Sequence, residues 1–170
     1  MNFLSLFFKI VKSLAIHESG NYVACSTQDG LISMIDSRTG TVMKFIRSHS
    51  SNVNKMGFLD ENHLLSVSND KGATVWNLEN PLQPQKKLSL VGHNEPILSF
   101  SYFDNVIITS TSNKIGITTL NLNQIYQNNS LKVNLVKLPI SKLQPVSNIE
   151  YLPNHQLLAI SNDDNLNFYY

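Results

Sequence analysis

The stretch Leu65-Ser66-Val67-Ser68-Asn69-Asp70-Lys71-Gly72, running on into Ala73-Thr74-Val75-Trp76-Asn77, decides the fold. Two short apolar, β-branched runs flank a polar turn, the pattern of adjacent antiparallel strands. The pattern recurs. Ala24-Cys25-Ser26-Thr27-Gln28-Asp29-Gly30 precedes Leu31-Ile32-Ser33-Met34-Ile35-Asp36. Ile108-Thr109-Ser110-Thr111-Ser112-Asn113-Lys114 precedes Ile115-Gly116-Ile117-Thr118-Thr119, and Ala159-Ile160-Ser161-Asn162-Asp163-Asp164 precedes Asn165-Leu166-Asn167-Phe168-Tyr169-Tyr170. The equivalent turn positions are 29, 70, 113 and 163, spaced by 41, 43 and 50 residues.

Outward from these turns, each copy supplies further strands. The first is expected to hold Val11–Ile16, Tyr22–Thr27, Leu31–Asp36 and Thr41–Ile46, with Gly20, Asp29-Gly30 and Thr39-Gly40 at the turns. The second holds Val53–Phe58, His63–Ser68, Ala73–Leu78 and Lys86–Val91. The third holds Pro96–Tyr102, Asn105–Thr111 and Ile115–Leu120, then a polar loop from Asn121 to Ser130 and an outer strand near Lys132–Leu138. The fourth holds Val146–Leu152, Gln156–Asn162 and Leu166–Tyr170. No helix of convincing period interrupts them. Two spacings fit a repeat of about 40–45 residues and the third needs a loop insertion. Four strands in three copies and three in the last predict an all-β β-propeller of about four blades, each a four-stranded antiparallel sheet. The repeats are placed at 11–48, 49–92, 93–140 and 141–170 within one domain spanning 1–170.

Composition excludes several function classes. Thirteen Lys and Arg against 12 acids, with no basic block, give no electrostatic reason for nucleic acid binding. Cys25 is the only cysteine, so neither an intramolecular disulfide nor a cysteine-rich zinc site can form. The five histidines lack metal-ligand spacing, and no phosphate-cradling glycine motif occurs, so neither a metal nor a cofactor is expected. Asp163-Asp164-Asn165 lacks the alternating oxygens and terminal Glu of a calcium loop. The apolar run from Phe3 to Val11 is broken by Lys9 and is under half the length of a spanning helix, so it reads as a strand. Asn2–Lys9 is a candidate outer strand. Asn128-Asn129-Ser130 matches a glycosylation sequon with no secretory signal to support it.

The second copy places His49 before its first strand, Ser66 in the second, Asp70 in the following turn and Trp76 in the third. With these residues the chain resembles the WD-repeat family. The resemblance implies that such His, Ser/Thr, Asp and Trp side chains form a buried hydrogen-bond chain that locks the blade. The third copy offers His93, Thr109 and Asn113, with Thr119 where tryptophan would stand. Ser66, His49 and Asp70 are also the residue types of a nucleophilic triad, and a hydrolase is the rival reading from another class. Recurrence at the repeat spacing is something a single active site does not need, and no oxyanion donors accompany the set. No enzyme is expected.

A narrower resemblance joins Lys12-Ser13-Leu14-Ala15-Ile16, Asp36-Ser37-Arg38-Thr39-Gly40 and Thr111-Ser112-Asn113-Lys114-Ile115-Gly116. These segments resemble the C-terminal WD-repeat region of endolysosomal proteins that combine a BEACH domain with WD repeats. The likeness implies a cytoplasmic chain, peripheral on endosomes or lysosomes, working in traffic and autophagic clearance. It also implies a second WD-repeat protein and the phosphatidylinositol 3-kinase complex as partners. The BEACH domain has no counterpart in this sequence, so activities residing there do not carry over. As a scaffold, the chain would dock other proteins on the rim carrying Gln28, Asn69, Ser112 and Asn162, without inserting into a membrane. Four blades of this size suggest a partial propeller that self-associates, or needs a partner, to close.

Overall fold

The computed structural model describes residues 10–122, 129–137, 146–162 and 165–169. The candidate strand Asn2–Lys9, the sequon's Asn128, and Leu138, Asp163, Asp164 and Tyr170 lie outside them. The described residues form four sheets in chain order, an open, partial β-propeller.

The first sheet is β1 (Val11–Ile16), β2 (Tyr22–Thr27), β3 (Leu31–Asp36) and β4 (Val42–Arg47), each antiparallel to the last. The second has β5 (Val53–Phe58), β6 (His63–Ser68), β7 (Ala73–Asn77) and β8 (Gln85–Val91) in the same arrangement. The third begins with β9 (Ser99–Phe103), β10 (Val106–Ser110) and β11 (Lys114–Thr119). β9 starts three residues later than expected. Pro96 has no N–H to give a ladder, and Ile97 donates its own to Ser68 O of the second sheet. The β9–β10 turn consumes Asp104 and Asn105, both at positive φ, as a two-residue hairpin requires.

The outer strand expected near Lys132–Leu138 is divided between two sheets. β12 (Ser130–Lys132) pairs in parallel with β8, adding a fifth strand to the second sheet, and β13 (Asn134–Lys137) pairs antiparallel with β11. Val133, between them, is buried in the core shared by both sheets. The segment therefore stitches the outer edges of two neighbouring blades. The fourth sheet comprises β14 (Asn148–Leu152), β15 (Leu157–Ser161) and β16 (Leu166–Tyr169), three strands among the described residues.

Adjacent residues of a strand point to opposite faces, and the core follows this rule. Leu64 packs with Ala24, Ile32 and Met34 of the first sheet, whereas Leu65 packs with Ile97, Phe100 and Ile107 on the side of the third. Trp76 and Val75 divide in the same way. β6 and β7 are consequently buried along their whole length, which is why they read as continuous apolar runs. Each such leucine contributes about 1.5–3 kcal/mol of burial. A third cluster, Ile115, Val146, Ile149 and Ile160, seats the fourth sheet on the third.

Hydrogen bonds between sheets run close to the innermost strands. Met56 N donates to Ser13 Oγ (3.1 Å) and Tyr151 N to Ser101 Oγ (3.0 Å). Lys55 Nζ reaches from β5 to Glu150 (2.8 Å) and Asn148 (3.1 Å) on β14, joining the second and fourth sheets. The outward faces of the end sheets are different in kind. Leu14 and Ile16 on β1 are 62% and 73% exposed, and Leu166 and Phe168 on β16 are 61% and 52% exposed.

Candidate functional site

His49, Ser66, Asp70 and Trp76 come together where the connection between β4 and β5 meets the β6–β7 hairpin. His49 Nδ1 lies 3.0–3.1 Å from both Asp70 carboxylate oxygens, and Nε2 lies 2.8 Å from Ser66 Oγ. Trp76 Nε1 donates to the same Ser66 oxygen at 3.0 Å. The carboxylate can only accept, so Nδ1 carries the proton, and Nε2 receives the Ser66 hydroxyl hydrogen. The chain of donation runs Trp76 to Ser66 to His49, with His49 also donating to Asp70.

The electrostatics agree with that assignment. Burial pushes the His49 imidazole below the usual histidine range, the neighbouring Asp70 only partly opposing it. Burial also acts to raise Asp70, but the N–H groups of Ser50 and Gly72 (2.9 and 2.8 Å) and His49 outweigh it and hold the carboxyl below its ordinary value. The contact is thus a neutral imidazole donating to an anion, a charge-assisted hydrogen bond. Ser66 is 0% exposed.

The third blade repeats the arrangement in part. His93 Nε2 lies 2.8 Å from Thr109 Oγ1, which also donates to Gly116 O at 3.3 Å. Gly116, unusual inside a strand, makes room for this pair. A Cβ there would collide with Thr109 Oγ1 and lie 2.6 Å from Val133 Cγ1 and 3.0 Å from His93 Nε2. His93 Nδ1 and Asn113 Oδ1, the counterparts of a bonded pair in the second blade, are both buried without a hydrogen-bond partner. The strand register puts Thr118, not the expected Thr119, at the tryptophan position, since the turn is one residue shorter, and neither brings an indole N–H to Thr109. Burial depresses the pKa of His93 as it does that of His49. In the first blade Cys25 occupies the Ser66 position and is buried, its pKa raised by burial.

The four rim residues occur in equivalent turns but unlike settings. Gln28 is exposed, its backbone N–H donating to Ile10 O (2.9 Å). Asn69 is half-buried and accepts from Asn54 Nδ2 (2.6 Å). Ser112 is exposed and donates to Glu95 (2.7 Å), and half-buried Asn162 accepts from Asn165 N (2.9 Å). Sequence reading passed over Glu95, which also accepts from Thr111 Oγ1 (3.2 Å) and Lys114 Nζ (3.0 Å). These bonds, led by Ser112, lower its pKa. Its position just after His93 was the only available signal. No group of three or more candidate metal ligands occurs among the described residues, and no described helix is long and apolar enough to cross a membrane.

Comparison with known proteins places this geometry in context. Residues 7–36 match the family described as WD domain, G-beta repeat. The chain is 29% identical over 151 residues to the probable inactive serine/threonine-protein kinase lvsG of Dictyostelium discoideum, covering 84% of this chain and 7% of that protein. It is 31% identical over 112 residues to human WD repeat-containing protein 81, covering 65% of this chain and 6% of that protein. The matches thus span only a small part of these curated relatives. The β-propeller domain of Cps50 (Swd1) from Myceliophteria thermophila superposes with a TM-score of 0.74 at 14% identity, over 99% of this chain and 57% of that one. The sequence is thus similar to WD-repeat proteins, with one repeat matched over residues 7–36, and its fold is that of part of a β-propeller.

Two outcomes follow from the hydrogen-bond chain. Replacing Ser66 by Ala strands the Trp76 N–H and the His49 Nε2 in the core, and should cost about 2–4 kcal/mol in denaturant unfolding. A loss below about 0.5 kcal/mol, the size of an ordinary surface change, would remove the chain from the stability account. The second outcome concerns pH. His49 and His93 have depressed values in the fold, so below about pH 6.5 the unfolded chain binds their protons more readily and stability falls with pH. Asp70, also depressed, loses its contribution only as pH falls below the ordinary carboxylate range, through its folded value. Thermal unfolding between about pH 7.5 and 5.5 should therefore show a falling midpoint, flattened in the variant H49Q/H93Q. A flat or rising midpoint in the unmodified chain contradicts this.

Proposed function

We propose that this WD-repeat region is a non-catalytic protein-interaction scaffold acting in endosome–lysosome traffic and autophagic clearance. The observation that carries the non-catalytic part is the closed hydrogen-bond chain. Ser66 is buried, receives the Trp76 N–H and gives its hydrogen to His49, so the hydroxyl of this triad-like set meets no substrate, although His49 and Asp70 border a surface hollow. A hydrolase would need that hydroxyl at a surface. The cellular setting is taken from the resemblance to endolysosomal proteins that combine a BEACH domain with WD repeats. A second WD-repeat protein and the phosphatidylinositol 3-kinase complex are the partners proposed from the resemblance.

In this reading the repeats run 11–48, 49–92, 93–140 and 141–170, and their locking residues are His49, Ser66, Asp70 and Trp76, with His93 and Thr109 in the third blade; Asn113, expected among them, leaves its Oδ1 unbonded. The rim with Gln28, Asn69, Ser112 and Asn162 is the docking face, because turns on a rigid frame present side chains at little entropic cost. A second reading is favoured by Leu14, Ile16, Leu166 and Phe168. These exposed end faces suit a fragment that completes its ring with a second copy or a partner.

Proximity labelling from the tagged chain in cells tests the first reading. Endosomal and lysosomal membrane proteins should be enriched, and the enrichment should fall when Gln28 and Ser112 are both replaced by Ala. Labelling no different from that of an untethered cytosolic tag would contradict the proposed setting. The mass in solution separates the second reading, since a stable monomer does not need a second copy.

A further inference from the structure

The turns joining the first and second strands of successive sheets lie side by side at one end of the molecule, opposite the rim just described. Three of them are acidic: His17–Asn21 carries Glu18, Leu59–Asn62 carries Asp60 and Glu61, and the β9–β10 turn carries Asp104, with no Lys or Arg in any of them. Glu18, Glu61 and Asp104 are exposed and Asp60 is half-buried. Glu18 and Glu61 line one hollow together with His17 and Tyr22. Asp60 and Asp104 lie close enough to Tyr102 to reinforce the upward push that burial gives its phenol. The carboxylates therefore stand at the same end of three successive blades. The outer turns at this end add Asp36, Arg38 and Glu79.

One apolar groove and one hollow of mixed, mainly polar lining open along this end. The groove, of about 330 Å³, lies between the third and fourth sheets and is walled by Phe103, Val106, Ile108 and Tyr151, with Asp104 at its edge. Phe103 and Tyr151 face each other at 5.7 Å between ring centroids, and Phe103 remains 44% exposed. The hollow, of about 320 Å³, lies between the first and second sheets, with Ala15, Phe58 and Leu59 as apolar walls and Glu18 and Asp60 as its acids.

We infer that this end of the propeller is a docking surface for a basic, apolar segment of a partner protein, which seats an aliphatic or aromatic anchor in the Phe103–Tyr151 groove and sets flanking Lys or Arg against the carboxylates. Exposed ion pairs are individually weak, so the carboxylates select the sign of the partner and speed its approach, and the groove supplies the affinity. This inference rests on the reading of the chain as an interaction scaffold, and it names a second face and the chemistry of its occupant.

Fluorescence anisotropy with a labelled peptide of alternating Leu and Lys tests it. The peptide should bind the full chain, and a peptide of alternating Leu and Glu should not. F103S should weaken binding about tenfold, as expected for emptying an apolar anchor site. The surface variant E18Q/E61Q/D104N should weaken it roughly three- to tenfold at low salt, a difference that shrinks as salt screens the charges. That variant keeps the test decisive if F103S fails to fold. Unchanged affinity in the carboxylate variant, or equal binding of the Leu–Glu peptide, overturns the inference. Binding that survives both variants but is lost when Gln28 and Ser112 become Ala also overturns it, and leaves the scaffold reading standing.

Discussion

A β-sheet with two apolar faces is stable only when both are covered, and the organisation of this chain follows from that requirement. The second sheet satisfies it most fully. Leu64 and Trp76 are covered from the first sheet, Leu65 and Val75 from the third, and β6 and β7 expose nothing substantial. Every other sheet is arranged with respect to this one. The fourth sheet is seated on the third by a smaller cluster, and its outward face, like that of the first sheet, presents apolar side chains to solvent.

Burial on both sides makes polar groups in such a sheet expensive unless they are paired. The second blade carries the full set, with Trp76, Ser66, His49 and Asp70 satisfying one another. The third keeps His93 and Thr109 but loses the acid and the tryptophan, and leaves His93 Nδ1 and Asn113 Oδ1 buried and unpaired. Each such group costs about 1–3 kcal/mol. Gly116 and the stitching segment around Val133 are where this blade holds together by other means. The complete polar chain thus stands in the sheet whose inner strands are buried along their whole length.

Much of this was legible locally. Strand limits such as Val53–Phe58 and His63–Ser68 are written in the β-rich runs and the turns that bound them, and His49, Ser66, Asp70 and Trp76 stand at positions whose residue types identify the hydrogen-bond chain. What escaped was non-local. Nothing in Ser130–Lys132 announces a parallel partner in β8, about forty residues earlier. The reach of Lys55 to Glu150 depends on how sheets pack around the axis, and the acidic end arises only when turns distant in sequence are brought to it. Ile97 taking Ser68 O as its acceptor shifted the start of β9 for the same reason.

Native-state hydrogen exchange measured strand by strand bears most directly on the claim that double coverage of the second sheet organises the fold. Amides of β6 and β7 should exchange only through global unfolding, and those of β14, β15 and β16 at least about a hundredfold faster through local opening. Uniform protection across the four sheets, or a fourth sheet as protected as the second, would contradict it.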